Sequence, residues 1–344
     1  MNIRVCKDPG EGNRWQEFVD RHLESAHCHR WNWKQVIEKS FGWPTHYLMA
    51  EDASGTRGVL PIVWQKSWVF GSSLCSVPFL NAGGILAETE LAKQRLLAVA
   101  IDLAKRVRAD HLELRHREDR ELNLARRSSK VTVVLPLDPD AEKMWKALDT
   151  KIRTKVRKSQ GYGMSAEFGG EEFLSDFYGV FCQNMRDLGT PVYKIGFFRE
   201  ILHAFPRDTY ICRVRHEGRT IAASFLCGYR DRVEAVWSSS LKEYLKVKPN
   251  MFLYWNLFCF AGQQGYRIFD FGRSTVNSGT HVFKMQWGSQ TVPLHWDYWL
   301  PEGCAMPEVN PDNPKYRFAI QFWQKLPLTV TNAVGPHIAR CLPL

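Results

Sequence analysis

Two stretches of the chain repeat one grammar of apolar and polar positions. Tyr47 to Trp64 reads as strand, polar turn, strand, and Tyr210 to Cys227 reads the same way. In each, a Gly-containing turn with an Arg joins two runs of β-forming residues, which is a hairpin pattern. A helix and then a strand follow both hairpins. Glu90 to Val107 sets Leu96, Leu97, Ala100, Ile101 and Ala104 at helical spacing, and His111 to Arg115 follows as a strand. In the second copy Met251 to Gln264 is the helix and Arg267 to Gly272 the strand. The offset of about 160 residues is the size of one domain. The pattern predicts an α+β protein of two domains, each a mixed sheet flanked by helices, joined around residues 131–163.

Local signals place the boundaries. Asp138 is a helix cap followed by Pro139 at the first helical position, and Gly161 and Gly163 stop that helix. Pro301, Pro307, Pro311 and Pro314 predict an extended linker, followed by a short amphipathic piece, Arg317 to Lys325, and a Pro/Gly-bounded end. The expected division is 1–137, 138–300 and a tail of 301–344.

Composition narrows the class. With 44% hydrophobic and 24% charged residues the chain is globular, and 13% aromatics supply large core side chains. A net charge of +10 favours an anionic partner. Nine Cys with no C-x-x-C pair suit reduced thiols, the first residues lack a signal-peptide core, and Met251 to Ala261 is too short to cross a bilayer. The expected location is therefore the cytoplasm. No Gly-x-Ser-x-Gly elbow or P-loop anchors a hydrolase or NTPase reading. His22, His27, Cys28 and His29 lack a second ligand pair, so no metal is expected.

Two segments carry candidate chemistry. Lys151 to Lys158 holds five basic residues and no acid. On a helix Lys151, Lys155 and Lys158 share one face, Arg153 and Arg157 a second, while Ile152 and Val156 turn inward. Such a helix binds anions or is a solvated face. The segment Phe269 to Gly288 begins as a hydrophobic strand that ends at Gly272 and offers Arg273, Ser274 and Thr275, with Lys284 in a second apolar run. A Gly at a strand end lets a substrate approach the backbone, and Arg and Ser there can hold an anion or oxyanion. The alternative is a polar loop between strands.

Phe269-Asp-Phe-Gly-Arg-Ser274, followed by Gly279-Thr280 and Phe283-Lys-Met-Gln-Trp-Gly288, resembles the C-terminal signature of FemAB-like proteins. The basic stretch Arg153 to Gly163 resembles the helix that opens that family's second domain. The ending, Trp323 to Leu328 and Gly335 to Pro343, looks like the branch associated with PEP-CTERM/exosortase exopolysaccharide systems. The resemblance implies two tandem GNAT-like domains with a substrate cleft between them, and transfer of an aminoacyl or acyl group onto an amine, as in peptidoglycan cross-bridge synthesis. It places Lys284 in the transfer site, and Lys155, Arg157 and Arg273 on substrate phosphates.

With those roles go Lys284 and Arg273 for charge stabilisation and Asp270 as proton acceptor or orienter. Lys151, Arg153, Lys155, Arg157, Lys158, Ser274, Lys246 and Lys248 are candidate substrate contacts. Two departures leave the donor open among aminoacyl-tRNA, acyl-CoA and acyl-carrier protein, with no tightly bound cofactor expected. No heptad hairpin for tRNA is present, and Leu245 to Asn250 lacks the glycines of a pyrophosphate-binding loop. The expected acceptor is an anionic small-molecule or lipid-linked substrate, with no DNA partner. The alternative is a non-catalytic, degenerate GNAT pair that binds an anionic glycan precursor. Phe318, Ile320, Phe322, Trp323 and Leu326 with Arg317, Lys325 and Arg340 suit either peripheral attachment to an anionic inner membrane or packing on the first domain.

Overall fold

A computed structural model describes residues 1–67, 71–307 and 314–341. The chain divides into two compact units: Met1–Lys130 with Pro293–Val309 and Arg340–Leu344, and Val131–Val292 with Asn310–Ala339.

The first unit contains β1 (Asn2–Cys6), α1 (Pro9–Arg21), α2 (Trp33–Phe41), β2 (Thr45–Asp52), β3 (Gly55–Ser67), β4 (Gly71–Cys75) and β5 (Leu86–Ala87). It continues with α3 (Glu90–Arg106), β6 (His111–His116) and β7 (Ala125–Arg127). The second unit holds β8 (Lys130–Pro136), α4 (Ala141–Ala147), α5 (Thr150–Gln160), β9 (Ser165–Gly169), α6 (Leu174–Leu188) and α7 (Ile195–Ala204). After these come β10 (Thr209–His216), β11 (Arg219–Tyr229), β12 (Arg232–Ser240), α8 (Pro249–Gln263), β13 (Ile268–Thr275), α9 (Gly279–Met285) and β14 (Gln290–Pro293). Strand β15 (His295–Trp299) returns to the first unit, and α10 (Pro314–Lys325) and α11 (Leu328–Ala339) belong to the second.

The duplication expected from the sequence is present along seven strands of each sheet, with the short β5 beside β3 as an extra strand of the first. The first sheet runs β1-β2-β3-β4-β6-β15-β7, and the second, read from its far edge, runs β9-β10-β11-β12-β13-β8-β14. The hairpins β2–β3 and β10–β11 hold equivalent places, each beside a strand that pairs in parallel with the strand after the long helix. In the second hairpin Glu217 and Gly218 both adopt positive φ, the turn geometry that matches strand twist. Helix α3, capped by Thr89, lays Leu96, Ala100, Leu103 and Ala104 on the first core. Helix α8 is apolar on all sides, as suits a helix enclosed within its unit, and buries Leu253, Leu257, Phe258 and Ala261.

The sixth strand of each sheet comes from the other half of the sequence. Strand β8 follows the first half yet lies beside β13, and β15 follows the second half yet pairs antiparallel with β6. Residues 293–300, grouped with the second domain by the sequence reading, therefore belong to the first unit. Their side chains match that sheet: Trp296 lies under the Arg115 guanidinium and Asp297 pairs with Arg126.

Three local expectations change. The helix expected after Asp138 is two helices, because Asp140 caps α4, the chain extends at Leu148, and Asp149 caps α5 through the Lys151 N–H. The Pro/Gly-bounded end is a helix, α11, with Pro336 inside it. The two helices of the tail pack within the second unit, while Arg340–Leu344 groups with the first: Ile320 meets Gly189 at the end of α6, and Trp323 and Val192 meet Gly335. Part of the expected linker, residues 308–313, lies outside the described residues.

Candidate functional site

The second sheet opens between β12 and β13. Their parallel ladder joins Arg232, Val233 and Glu234 to Ile268, Phe269 and Asp270. Among the described residues it stops there, while β12 continues to Ser240 and β13 to Thr275. Two residues past the ladder, Gly272 has φ +71°, a conformation that glycine adopts without the cost a Cβ imposes. Asp270, 1% exposed, shapes this end of the strand. It accepts from the Gly272 N–H at 2.9 Å, the Thr132 hydroxyl at 2.5 Å and the Arg232 guanidinium at 3.1 Å. With both carboxylate oxygens engaged, Asp270 has the surroundings of an orienter.

Helix α9, capped by Ser278, carries Lys284 into this bend. The side chain is 7% exposed, and its Nζ donates to the carbonyls of Gly272 at 2.8 Å and Arg273 at 3.0 Å. Burial pushes its ammonium down to about 8; Asp270 and Glu234 oppose the shift and Arg273 adds to it. Ser274 lies two residues beyond Gly272, 5% exposed, and among the described residues its hydroxyl has no hydrogen-bond partner. Against Phe271 rests the ring of Tyr254 from α8, 5.3 Å between centroids. The bend thus gathers a buried cation, two carbonyls, a hydroxyl unpaired among the described residues and a buried glycine in the left-handed region.

The basic helix meets this place through one residue. Lys155 donates to the side chain of Gln286, two residues after Lys284, at 3.0 Å. Ile152 and Val156 pack inward as their spacing predicts. Arg157 turns elsewhere and lies 5.3 Å over the Trp145 ring, in a depression it shares with Trp255. Two residues apart on a helix are about 200° apart in direction, so Lys155 and Arg157 reach different neighbours. Arg153 donates to the Thr150 hydroxyl, and Lys151 and Lys158 are exposed. Lys246 and Lys248 precede α8, with Lys248 left-handed at φ +57° as its cap and Pro249 in the first turn.

Thr132, Arg232, Glu234 and Gln286 were not singled out in the sequence. Glu234 and Arg232 carried a signal, two charges inside a β-forming run; Thr132 and Gln286 carried none that periodicity detects.

The corresponding place in the first unit, beyond β4 and β6, is filled by its own chain. Residues 74–86 are buried, with Val77 at φ +39° and Phe79 at φ +72°, both costly for residues with a Cβ. Arg115 donates to Glu113 at 2.7 Å and to the Leu80 carbonyl at 2.8 Å. Burial alone would raise the Glu113 carboxyl; Arg115 holds it below the usual carboxylate range. His29 is spent on the backbone, accepting from Ala26 and donating to Gly84.

Residues 146–285 match the family described as acetyltransferase (GNAT) domain. No curated protein matches the chain in sequence. Among solved structures, FemX is 14% identical, with a TM-score of 0.68 over 86% of this chain and 97% of its own. A tandem GNAT protein from the clavulanic acid biosynthesis pathway is 10% identical, with a TM-score of 0.57 over 89% and 99%. The C-terminal domain of a putative lysylphosphatidylglycerol synthetase from Agrobacterium fabrum is 11% identical, with a TM-score of 0.56 over 85% and 92%. At these identities the likeness is one of fold. The chain has a tandem GNAT fold of FemAB-like type, and its second unit carries an acyltransferase domain of GNAT type.

Proposed function

We propose that the second unit transfers an aminoacyl or acyl group from an activated carrier onto an amine of a phosphate-bearing cell-envelope or exopolysaccharide-related acceptor. The observation that carries this reading is the buried Lys284 ammonium pinned at the glycine bend where β12 and β13 part. An acyl carbonyl placed there would be attacked by the acceptor amine, forming the new C–N bond. The tetrahedral oxyanion would take the third N–H of Lys284, since two are held by backbone carbonyls. Collapse then breaks the bond to the carrier, and the amine's proton leaves with the carrier or to water. Ser274, with its unpaired hydroxyl, is the neighbouring group suited to orient the donor.

Lys155, tied to Gln286, is the residue of the basic helix that we assign to an acceptor phosphate; Arg273 is a second candidate. The FemAB-like resemblance of the sequence and the fold likeness to the putative lysylphosphatidylglycerol synthetase domain supply the analogy for an aminoacyl carrier and an envelope acceptor. The exopolysaccharide branch rests on the sequence ending, and a site at the inner membrane would follow from a lipid-linked acceptor. Among the described residues no helix is long and apolar enough to cross a membrane.

One observation favours the non-catalytic alternative: Lys248 and Pro249 open α8 where an acyl-CoA-dependent domain has its glycine loop. Incubation with acyl-CoAs, acyl-carrier protein or aminoacyl-tRNA and an amine-bearing nucleotide-sugar peptide, read by mass spectrometry, distinguishes the two. Transfer that Lys284→Met abolishes supports the enzyme. Binding of the acceptor with no transfer from any carrier class refutes it.

A further inference from the structure

Helices α10 and α11 are anchored on one side and bare on the other. On the anchored side Ile320 seats on Gly189, Trp323 is buried, Gln324 donates to the Asp187 carbonyl at 3.0 Å and Arg186 donates to the Leu326 carbonyl at 3.4 Å. These contacts hold α10 against the end of α6. On the other side Phe318 is 73% exposed and Phe322, one turn along the same face, 59%. Val330 and Val334 repeat that i, i+4 exposure on α11. Leu188, between Asp187 and Gly189, is exposed as well.

The charge carried by the two helices has one sign, and the neighbouring acid Asp187 is paired with Arg186 at 2.7 Å. Residues 313–344 contain Lys315, Arg317, Lys325 and Arg340 and no Asp or Glu. Elsewhere the chain carries an acid about once in nine residues, 36 over the 312 that precede this stretch. Arg317 and Lys325 are exposed on the helix that bears the two phenylalanines. A second copy of the same chain would set these cations against themselves. An anionic bilayer surface takes both parts of the face, with aromatic rings entering the headgroup boundary and basic side chains on the lipid phosphates.

We infer that the α10–α11 face docks on an anionic membrane surface, with Phe318 and Phe322 as the inserted side chains and Arg317 and Lys325 as the electrostatic contacts. The inference is independent of the transfer chemistry, since no residue assigned to that site lies on these helices.

Co-sedimentation of the full chain with vesicles of phosphatidylcholine, alone or mixed with phosphatidylglycerol, tests it. The parent should bind the mixed vesicles, and salt should weaken binding. Arg317→Gln with Lys325→Gln should lower the partition coefficient about 30-fold, from about 1 kcal/mol per basic residue. Phe318→Ser with Phe322→Ser should lower it at least about tenfold while leaving the melting temperature unchanged, because both side chains are already in water. Equal binding to both vesicle types, or either double variant partitioning like the parent, overturns the inference. A parent dimer that Phe318→Ser with Phe322→Ser converts to monomer, seen by light scattering, also overturns it, because the occupant is then a second copy.

Discussion

The Lys284 ammonium lies 2.8 Å from the carbonyl oxygen of Gly272, a residue whose φ of +71° turns that carbonyl toward α9. A lysine so buried is held by geometry, and its removal should act on chemistry more than on binding. Once turnover is measurable, Lys284→Met should lower kcat and kcat/KM together by about 10²-fold, the typical loss of one oxyanion donor. The donating form is the protonated one. Parent activity should therefore decline above about pH 8, and the variant's residual activity should lack that limb.

The same residue links stability to pH. Between its folded value of about 8 and the ordinary 10.5, Lys284 binds fewer protons in the folded chain than in the unfolded one. The unfolding free energy it contributes must then rise with pH across that window, by at most about 1.4 kcal/mol per pH unit. Denaturant titrations of parent and Lys284→Met should show the parent gaining relative to the variant from pH 8 to 10.

Asp270 should behave in the opposite manner, as a stability residue. Asp270→Asn retains size but loses the charge that Arg232 faces, and leaves one acceptor oxygen where Arg232 and the Thr132–Gly272 pair use two. A loss of about 2–4 kcal/mol is expected, visible as a lower melting temperature. The fraction that stays folded should lose less kcat than Lys284→Met does.

Lys155 and Arg157 should separate in kinetics. Lys155→Ala should raise KM with little change in kcat, as uniform phosphate binding requires, and the effect should shrink at high salt. Arg157→Ala should leave KM unchanged and alter the fluorescence of Trp145, over which it lies. Identical KM changes in both variants would return the two cations to one site.

The buried pair Glu113–Arg115 gives a prediction for the first unit. Glu113→Gln leaves Arg115, 2% exposed, without its counter-charge, at a cost of about 3–5 kcal/mol. Thermal unfolding monitored through the tryptophan signal should register it directly, since Arg115 stacks on Trp296.

The duplicated fold was legible because hairpin and helix periodicities are local. Tyr47 to Trp64 and Tyr210 to Cys227 announce themselves within a few residues of their turns. The break in the apolar run at Gly272 was legible for the same reason, but the strand expected to end there bends and continues to Thr275. What the sequence concealed depends on pairing at a distance. Nothing near Trp296 or Asp297 says that they face Arg115 and Arg126, some 170 residues earlier. Thr132 could not be connected with Asp270, and the divergence of Lys155 from Arg157 needed their neighbours as well as the helical angle. In α11 the Pro336 stop signal was outweighed by packing of Gly335 on Trp323 and Val192.

The placement of β15 in the first sheet bears on how the protein is made. As the chain leaves the ribosome, residues 1–130 emerge with β6 presenting an unpaired edge, and the strand that covers it is not synthesised until residue 299. All six residues of β6 are buried in the finished protein, so its unpaired backbone, with Leu112, Leu114 and the Glu113–Arg115 pair, stays open while it waits. During roughly half of translation the nascent first half therefore carries an open strand edge, at the stage when long-range strand pairing leaves chains prone to aggregate. A gene cut at the unit boundary near Lys130 would yield a first product that lacks β15, carried by the second.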